Sequence, residues 1–200
     1  MDSHDVRRAW ADRSGEYSPR YYAHYGPDET SELIRSTLER RVGRDARVLE
    51  VGCSAGRHLA ALADAGFTDL TGVDVNGDAL DVLAETYPDL AATGTFHEST
   101  IEEYVADVND GAFDATFSVE TLQHIHPDAE WVFDELVRIT DGVLVVVENE
   151  SGEAGTVNYV DEDVPLYYRD WSTVFSERGL VEVDATALDR DTARVFRTPD

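Results

Sequence analysis

Residues 48–59 read Val48-Leu49-Glu50-Val51-Gly52-Cys53-Ser54-Ala55-Gly56-Arg57-His58-Leu59. An apolar strand runs into a glycine-bearing loop and then a helix. Glycines at the mouth of a strand let the backbone approach a ligand at a helix N-terminus, where unpaired N–H groups face outward. Glu50 interrupts the apolar strand, and a carboxylate there is costly unless something satisfies it. Two histidines, His124 and His126, share a later loop. As an H-x-H pair they could bind a metal, but no nearby cysteine or third ligand completes a site, and none is expected. His124 could act as a general base, since an unperturbed imidazole titrates at about 6.5. Alternatively it packs beneath the following helix, with Pro127 setting the turn. Cys53 reads as a small filler, because nothing basic is placed to make its thiolate.

Alternating strand and helix patterns must position these groups, which points to an α/β domain with a mostly parallel sheet. Strands are expected at 47–51, 70–75, 95–98, 113–119 and 143–148. Helices are expected at 28–42, 57–65, 78–86, 101–105, 128–139 and 168–178. Asn76 is read as the cap of the third of these helices, which stops before Pro88. Segments 180–185 and 193–198 suggest an antiparallel hairpin. Residues 1–27 carry Trp10, Tyr17, Tyr21, Tyr22 and Tyr25 and are read as an arm, and 150–167 as a loop or lid.

Two ligand classes compete for the glycine loop. A dinucleotide fingerprint needs glycines at positions 54 and 57, which hold Ser54 and Arg57. The observed pattern is E-x-G-x-x-x-G. It resembles motif I of the class I S-adenosylmethionine-dependent methyltransferases, [D/E]-x-G-x-G-x-G, with Ser54 at the middle glycine. Val73-Asp74-Val75 matches the family's acidic residue ending the second strand. Phe113-Asp114-Ala115-Thr116-Phe117-Ser118-Val119 with Leu122-Gln123-His124-Ile125 resembles its fourth strand and trailing loop. The resemblance covers roughly residues 45–150 and the late hairpin.

That resemblance implies a doubly wound, Rossmann-like, seven-stranded sheet and S-adenosyl-L-methionine as cofactor. Asp74 would accept bonds from the two ribose hydroxyls, since a carboxylate offers two oxygens to a diol. Glu50 would hold the methionyl end, and Gly52, Cys53, Ser54, Gly56 and Val75 would line the cofactor. Ser99, Thr100 and Ile101 would meet the adenine, with Glu98 either joining them or standing as a solvated turn residue. The backbone at Val119 and Glu120 would run along the cofactor. His124 is the first candidate base, and Glu148 or a lid tyrosine the second. Tyr22, Tyr25, Asn149, Tyr168, Arg169 and His124 would face the acceptor; a packed N-terminal arm is the alternative for the tyrosines. Residues 1–44 would form an arm, first helix and substrate lid, and residues 45–200 the cofactor-binding domain, with a lid insertion at about 150–168. The implied activity is in-line methyl transfer to a small-molecule oxygen or nitrogen. A non-catalytic cofactor-binding sensor or partner subunit is the alternative. A nicotinamide-dependent oxidoreductase is disfavoured by Ser54, Arg57 and Glu50.

The charge balance is extreme. The 200 residues hold 42 acidic and 16 basic side chains, a formal charge of −26, and every basic residue is arginine. Such a balance argues against a duplex-DNA or anionic-membrane partner. Arg40, Arg41, Arg44 and Arg47 are the local exception, read as a charged helix end in preference to an anion or RNA patch. A lone cysteine excludes an internal disulfide framework. The apolar run Val143–Val147 is far short of a membrane span, and residues 1–10 lack a secretion signal's apolar stretch, so a cytoplasmic protein is expected. The acidity, spread along the chain without lysine, resembles that of proteins from salt-accumulating halophiles. Repulsion among these charges fades once the Debye length shrinks to about 3 Å at about 1 M salt. Thermal unfolding should therefore shift upward between about 0.1 M and about 2 M KCl, and an unchanged midpoint would contradict the halophile reading.

Overall fold

The computed structural model describes residues 1–160 and 164–199. Its helices are α1 (Ser3–Ala11), α2 (Pro19–Tyr25), α3 (Glu29–Arg41), α4 (Arg57–Asp64), α5 (Asp78–Thr86), α6 (Pro88–Thr93), α7 (Ile101–Ala106), α8 (Trp131–Ile139) and α9 (Trp171–Ser176). Its strands are β1 (Arg47–Val51), β2 (Asp69–Asp74), β3 (Thr95–Glu98), β4 (Phe113–Val119), β5 (Thr140–Asn149), β6 (Val157–Val160), β7 (Val164–Tyr167), β8 (Val181–Ala187) and β9 (Asp191–Arg197).

Seven strands form one sheet in the order β3-β2-β1-β4-β5-β9-β8. Strands β1 to β5 pair in parallel, and the β8–β9 hairpin joins the β5 edge antiparallel. The chain winds outward from β1 to β3, then returns to β4 on the other side of β1. Where the winding reverses, between β1 and β4, a crevice opens at the strands' C-terminal ends, the usual ligand position in this architecture.

Alternation along β5 shows why the sheet is covered on both faces, because successive strand residues point to opposite sides. Val143, Val145 and Val147 join Val48 and Phe117 against Ile34 and Leu38 of α3 and Leu59 and Leu62 of α4. Leu144 and Val146 join Leu49 and Val51 against Phe133 and Leu136 of α8 and Trp171 and Phe175 of α9. Helix α3 thus belongs to the core of the domain. Its start is set by Asp28 and Ser31, which form a reciprocal capping box.

The structure departs from the sequence expectations in several segments. The aromatic N-terminal arm is two helices. Asp2 caps α1, while Ser18 with Pro19 at the first helical position starts α2. Pro88 likewise opens a further helix, α6, after ending α5. The segment 128–139 begins as a 3₁₀ turn, Pro127–Ala129, before α8. The segment expected as a loop at 150–167 contains β6 and β7, paired antiparallel; its residues 161–163 lie outside the described residues. Helix α9 starts only at Trp171 because Asp170 accepts from the Thr173 N–H and caps it there. Of the arginine cluster, Arg44 is paired with Glu39 and Arg47 with Asp114. Among the described residues no helix is long and apolar enough to cross a membrane.

Replacing the Asp28 cap tests how firmly α3 belongs to the core. Asp28→Ala should lower stability by about 0.5–2 kcal/mol in denaturant unfolding.

Candidate cofactor and acceptor site

The crevice becomes a closed-over cavity because α1 and α2 lie above the ends of β1, β2 and β4. Its floor is the loop after β1. Gly52 has φ +72°, and a Cβ there would stand 2.2 Å from Thr121 Oγ1, so only glycine fits. The Gly52 and Cys53 N–H groups both donate to the Val73 carbonyl, which stitches the loop to β2. Ser54 takes φ +47°, a left-handed conformation that favours glycine. Its N–H donates to Asp74 Oδ2 at 2.7 Å.

Two carboxyl groups face this floor. Asp74 ends β2, and its other oxygen accepts from the Asn76 N–H at 2.8 Å. Burial pushes its pKa up while these backbone donors pull it down. Each oxygen keeps a lone pair for a further donor. Glu50 is 1% exposed, and its Oε2 has no hydrogen-bond partner. Burial pushes its pKa well above the usual range, against a downward pull from Arg57. An unpaired buried oxygen at a cavity wall calls for an explanation.

Cations and rings close the same end. Arg57 donates to Asp28 at 2.6 Å and lies over the Tyr22 ring at 5.1 Å. His58 Nδ1 is 2.7 Å from Ser31 Oγ, and burial lowers the imidazole pKa to about 3, so the ring is neutral. Burial raises the Tyr22 phenol above the ordinary tyrosine range.

Across the crevice, the loop after β4 is organised by Glu148 of β5. Its Oε1 accepts from Ser118 Oγ at 2.9 Å and from the Leu122 N–H at 3.0 Å. Longer bonds come from the Thr121 N–H to Oε1 and the Gln123 N–H to Oε2, at 3.3 and 3.1 Å. Burial pushes this carboxyl up to about 8, although every one of these donors favours its ionised form. Glu120, at the bend, has φ +48°.

His124 follows. Its Nδ1 is 2.9 Å from the Pro165 carbonyl and therefore carries the proton. Gln123 Oε1 accepts from the Asn149 N–H at 2.8 Å, which turns its amide NH₂ toward His124 Nε2 at 3.4 Å. Burial lowers the imidazole pKa to about 4. The ring packs 4.6 Å from that of Trp10. His126 Nδ1 accepts from the Asp128 N–H. Among the described residues no group of three or more His, Cys, Asp or Glu is placed to hold a metal.

The cavity thus brings together Glu50, Gly52, Cys53, Ser54, Asp74, Val75, Ser99, Thr100, Ile101, Val119, Glu120, Tyr22 and His124. Other expected site residues lie outside its lining. Gly56 faces Leu83, and Glu98 is an exposed residue beside Gly77. Glu148, the second candidate base, also lies outside the lining: it is wholly buried and its hydrogen bonds hold the loop. Tyr25 is 63% exposed. Asn149 accepts from Ser151, and Tyr168 packs on Gly152. Arg169 donates to the Ile125 carbonyl and Glu130, so it ties the lid hairpin to the 122–130 segment. Cys53 is buried and its thiol pKa is raised, consistent with a filler.

Sequence reasoning missed Val6, Arg7, Arg13, Asn76, Thr121 and Ile125 as lining residues. Trp10 was legible only as one of several N-terminal aromatics. Asn76 was legible as a helix cap, and its Oδ1 does accept from the Asp78 N–H. Its Nδ2 also donates to the Trp10 and Arg13 carbonyls, pinning the end of α1 over the cavity.

Residues 48–141 match the family model for a methyltransferase domain. That segment, just under half of the chain, is similar to a methyltransferase domain. The chain is 36% identical over 91 residues to an Escherichia coli O-antigen chain terminator bifunctional methyltransferase/kinase, covering 44% of this chain and 12% of that protein. It is 29% identical over 140 residues to a ubiquinone biosynthesis O-methyltransferase of Actinobacillus pleuropneumoniae, covering 68% of this chain and 57% of that one. The chain therefore spans less than two thirds of either relative. Its fold is that of the Burkholderia thailandensis 1,6-didemethyltoxoflavin-N1-methyltransferase, with a TM-score of 0.71 at 19% identity, over 99% of this chain and 84% of that one.

The methyltransferase domain implies S-adenosyl-L-methionine as its cofactor. The residues present fit that molecule. It carries an ammonium, a carboxylate and a ribose diol. The cavity supplies an unpaired buried carboxyl at Glu50, a guanidinium at Arg57 and an acceptor pair at Asp74.

Two substitutions test this geometry. Gly52→Ala should abolish cofactor binding in a titration, because the left-handed φ and the contact with Thr121 both oppose a methyl group. Glu148→Gln sets an amide NH₂ against backbone donors, so it should lower stability by about 1–3 kcal/mol and raise hydrogen exchange across 120–124.

Proposed function

We propose that the chain transfers the methyl group of S-adenosylmethionine to an oxygen of a small-molecule acceptor by in-line displacement. The carrying observation is the unpaired, buried Glu50 carboxyl opening onto the same cavity as Asp74. A dinucleotide has no ammonium to offer it. When bound, S-adenosylmethionine supplies a methyl carbon made electrophilic by its sulfonium.

In this reading Glu50 takes the ammonium and Arg57 the methionyl carboxylate. Asp74 accepts from the ribose hydroxyls, and the segment Ser99–Ile101 borders the adenine. Helix α1 roofs the cavity through Trp10 and Val6 and excludes water, which strengthens every polar contact beneath it. Alignment of the acceptor with the methyl carbon does most of the catalytic work. His124, held neutral with a pKa of about 4, is a weak base, so it positions the acceptor and takes no proton from it. The O-methyltransferase name of the longest-matching curated relative described above supports oxygen as the acceptor atom.

Calorimetric titration of S-adenosylmethionine in about 2 M KCl tests the reading at a salt level that screens the chain's self-repulsion. The protein should bind, and Asp74→Ala should bind at least about tenfold more weakly, since bonds to a charged group contribute about 1.5–3 kcal/mol each. No binding by folded protein would end the proposal, while binding without turnover on any acceptor would favour a sensor.

Glu50 adds a pH signature. Burial raises its pKa, so below the Glu50 titration the free site holds a proton that the ammonium must displace. Binding should release this proton, so affinity should rise as pH rises through the Glu50 titration and fall below it. The apparent enthalpy should vary with the ionisation enthalpy of the buffer, and Glu50→Gln should remove that variation.

A further inference from the structure

Asn76 joins three parts of the site through one backbone group and one side chain. Its backbone N–H donates to Asp74 Oδ1 at 2.8 Å. Its Oδ1 accepts from the Asp78 N–H at 3.0 Å, at the start of α5. That bond fixes the orientation of the amide, so its NH₂ is the end that faces α1. There it donates to the Trp10 and Arg13 carbonyls, both at 3.1 Å. The last carbonyls of a helix have no partner within it and must find one elsewhere. Asn76 therefore closes the end of α1 from the strand end that carries Asp74. Ser3, Val6, Arg7 and Trp10 of α1, with Arg13 just after it, line the cavity. Resting on the methyltransferase reading above, we propose that Asn76 is a positioning residue whose side-chain amide latches α1 over bound S-adenosylmethionine and sets how long the cofactor stays.

Three observations carry this role. First, α1 depends on its tertiary contacts to stay where it is. A helix of nine residues is too short to persist alone, and of those nine Val6 is buried. Its other holds are the Arg7–Glu102 ion pair at 2.9 Å and the Trp10 ring against His124. Second, the Arg7 side chain is 32% exposed, so salt weakens its ion pair. Bonds from a neutral amide to neutral carbonyls are not screened in that way. At molar salt the Asn76 latch carries a larger share of the attachment.

Third, closure has a built-in cost. Trp10 Nε1 is buried without a hydrogen-bond partner, and lifting α1 into water would relieve that donor. The closed roof is thus balanced by small opposing contributions, and two hydrogen bonds are enough to shift it. The bond to Asp74 comes from the Asn76 backbone, so it survives a change of side chain. Asn76→Ser keeps a hydroxyl that can accept from the Asp78 N–H, though more weakly, and loses the NH₂ that holds α1. The variant therefore separates the latch from both the Asp74 contact and the start of α5. If Asn76 serves only to start α5, its loss loosens α5 and leaves the cofactor's residence unchanged.

Wild type and Asn76→Ser should be compared at about 2 M KCl, where the charge repulsion is screened, in two measurements. In the first, amide hydrogen exchange is followed across residues 6–13 and 78–86. In the second, labelled S-adenosylmethionine is bound, chased with excess unlabelled cofactor, and its release timed. Exchange across 6–13 should rise about tenfold in the variant, the order expected for losing two neutral hydrogen bonds, while 78–86 stays within about twofold. Release should be about tenfold faster. Unchanged exchange across 6–13, equal loosening of 78–86, or an unchanged release rate from a loosened α1 would overturn the inference and leave the methyltransferase reading standing. Failure of folded wild type to bind S-adenosylmethionine would overturn that reading, and this inference with it.

Discussion

A single buried carboxyl group holds the loop after β4 in shape. Glu148 collects the Ser118 hydroxyl and the N–H groups of Thr121, Leu122 and Gln123. Successive backbone N–H groups converge on one carboxyl group where the chain bends sharply before them, and Glu120 supplies that bend with its left-handed φ. The bend sets Thr121 against Gly52, which rules out any side chain there. It also brings Gln123 and then His124 into line. Loss of the carboxylate would leave several buried N–H groups unpaired at once, each costing roughly 1–3 kcal/mol.

The second organising feature is the way the N-terminal helix is fastened. Asn76 stands two residues after Asp74 and bonds both to Asp74 and to the end of α1 and its following turn. Arg7 reaches Glu102 of α7, and Trp10 reaches His124. One short helix therefore contacts the three rims of the crevice. In a chain of charge −26, the few arginines are concentrated in such linking roles: Arg57 to Asp28, Arg169 to Glu130, Arg194 to Glu150.

Much of this was readable beforehand where local rules suffice. Strands β1, β3 and β4 and helix α5 stand at their expected bounds, since apolar runs and flanking turn residues act over short distances. The glycine loop, Glu50 and Asp74 were legible because their types and spacing carry the chemistry. Helices α1, α2 and α6 were missed because their evidence was caps and prolines in polar sequence, without a long apolar face. The β6–β7 hairpin was missed because Val157 and Tyr159 point to solvent and show little burial pattern.

From the sequence alone came the sheet's parallel core, the glycine loop with Glu50 and Asp74 beside it, the lone cysteine and the acidity. All follow from residue type, short-range order and composition. Only the tertiary structure decided the acceptor side. Glu148 reads identically in sequence whether it takes a proton from an acceptor or holds a loop, and the position of four donors around it makes the distinction. His124 reads as a base in sequence, while its burial, which lowers its pKa to about 4, and its Pro165 carbonyl partner, 41 residues away, show only in the fold. Trp10 lines the cavity only because α1 folds back over strands far later in the chain. A side chain's type travels with the sequence; its solvation and hydrogen-bond partners are set by residues distant in the chain.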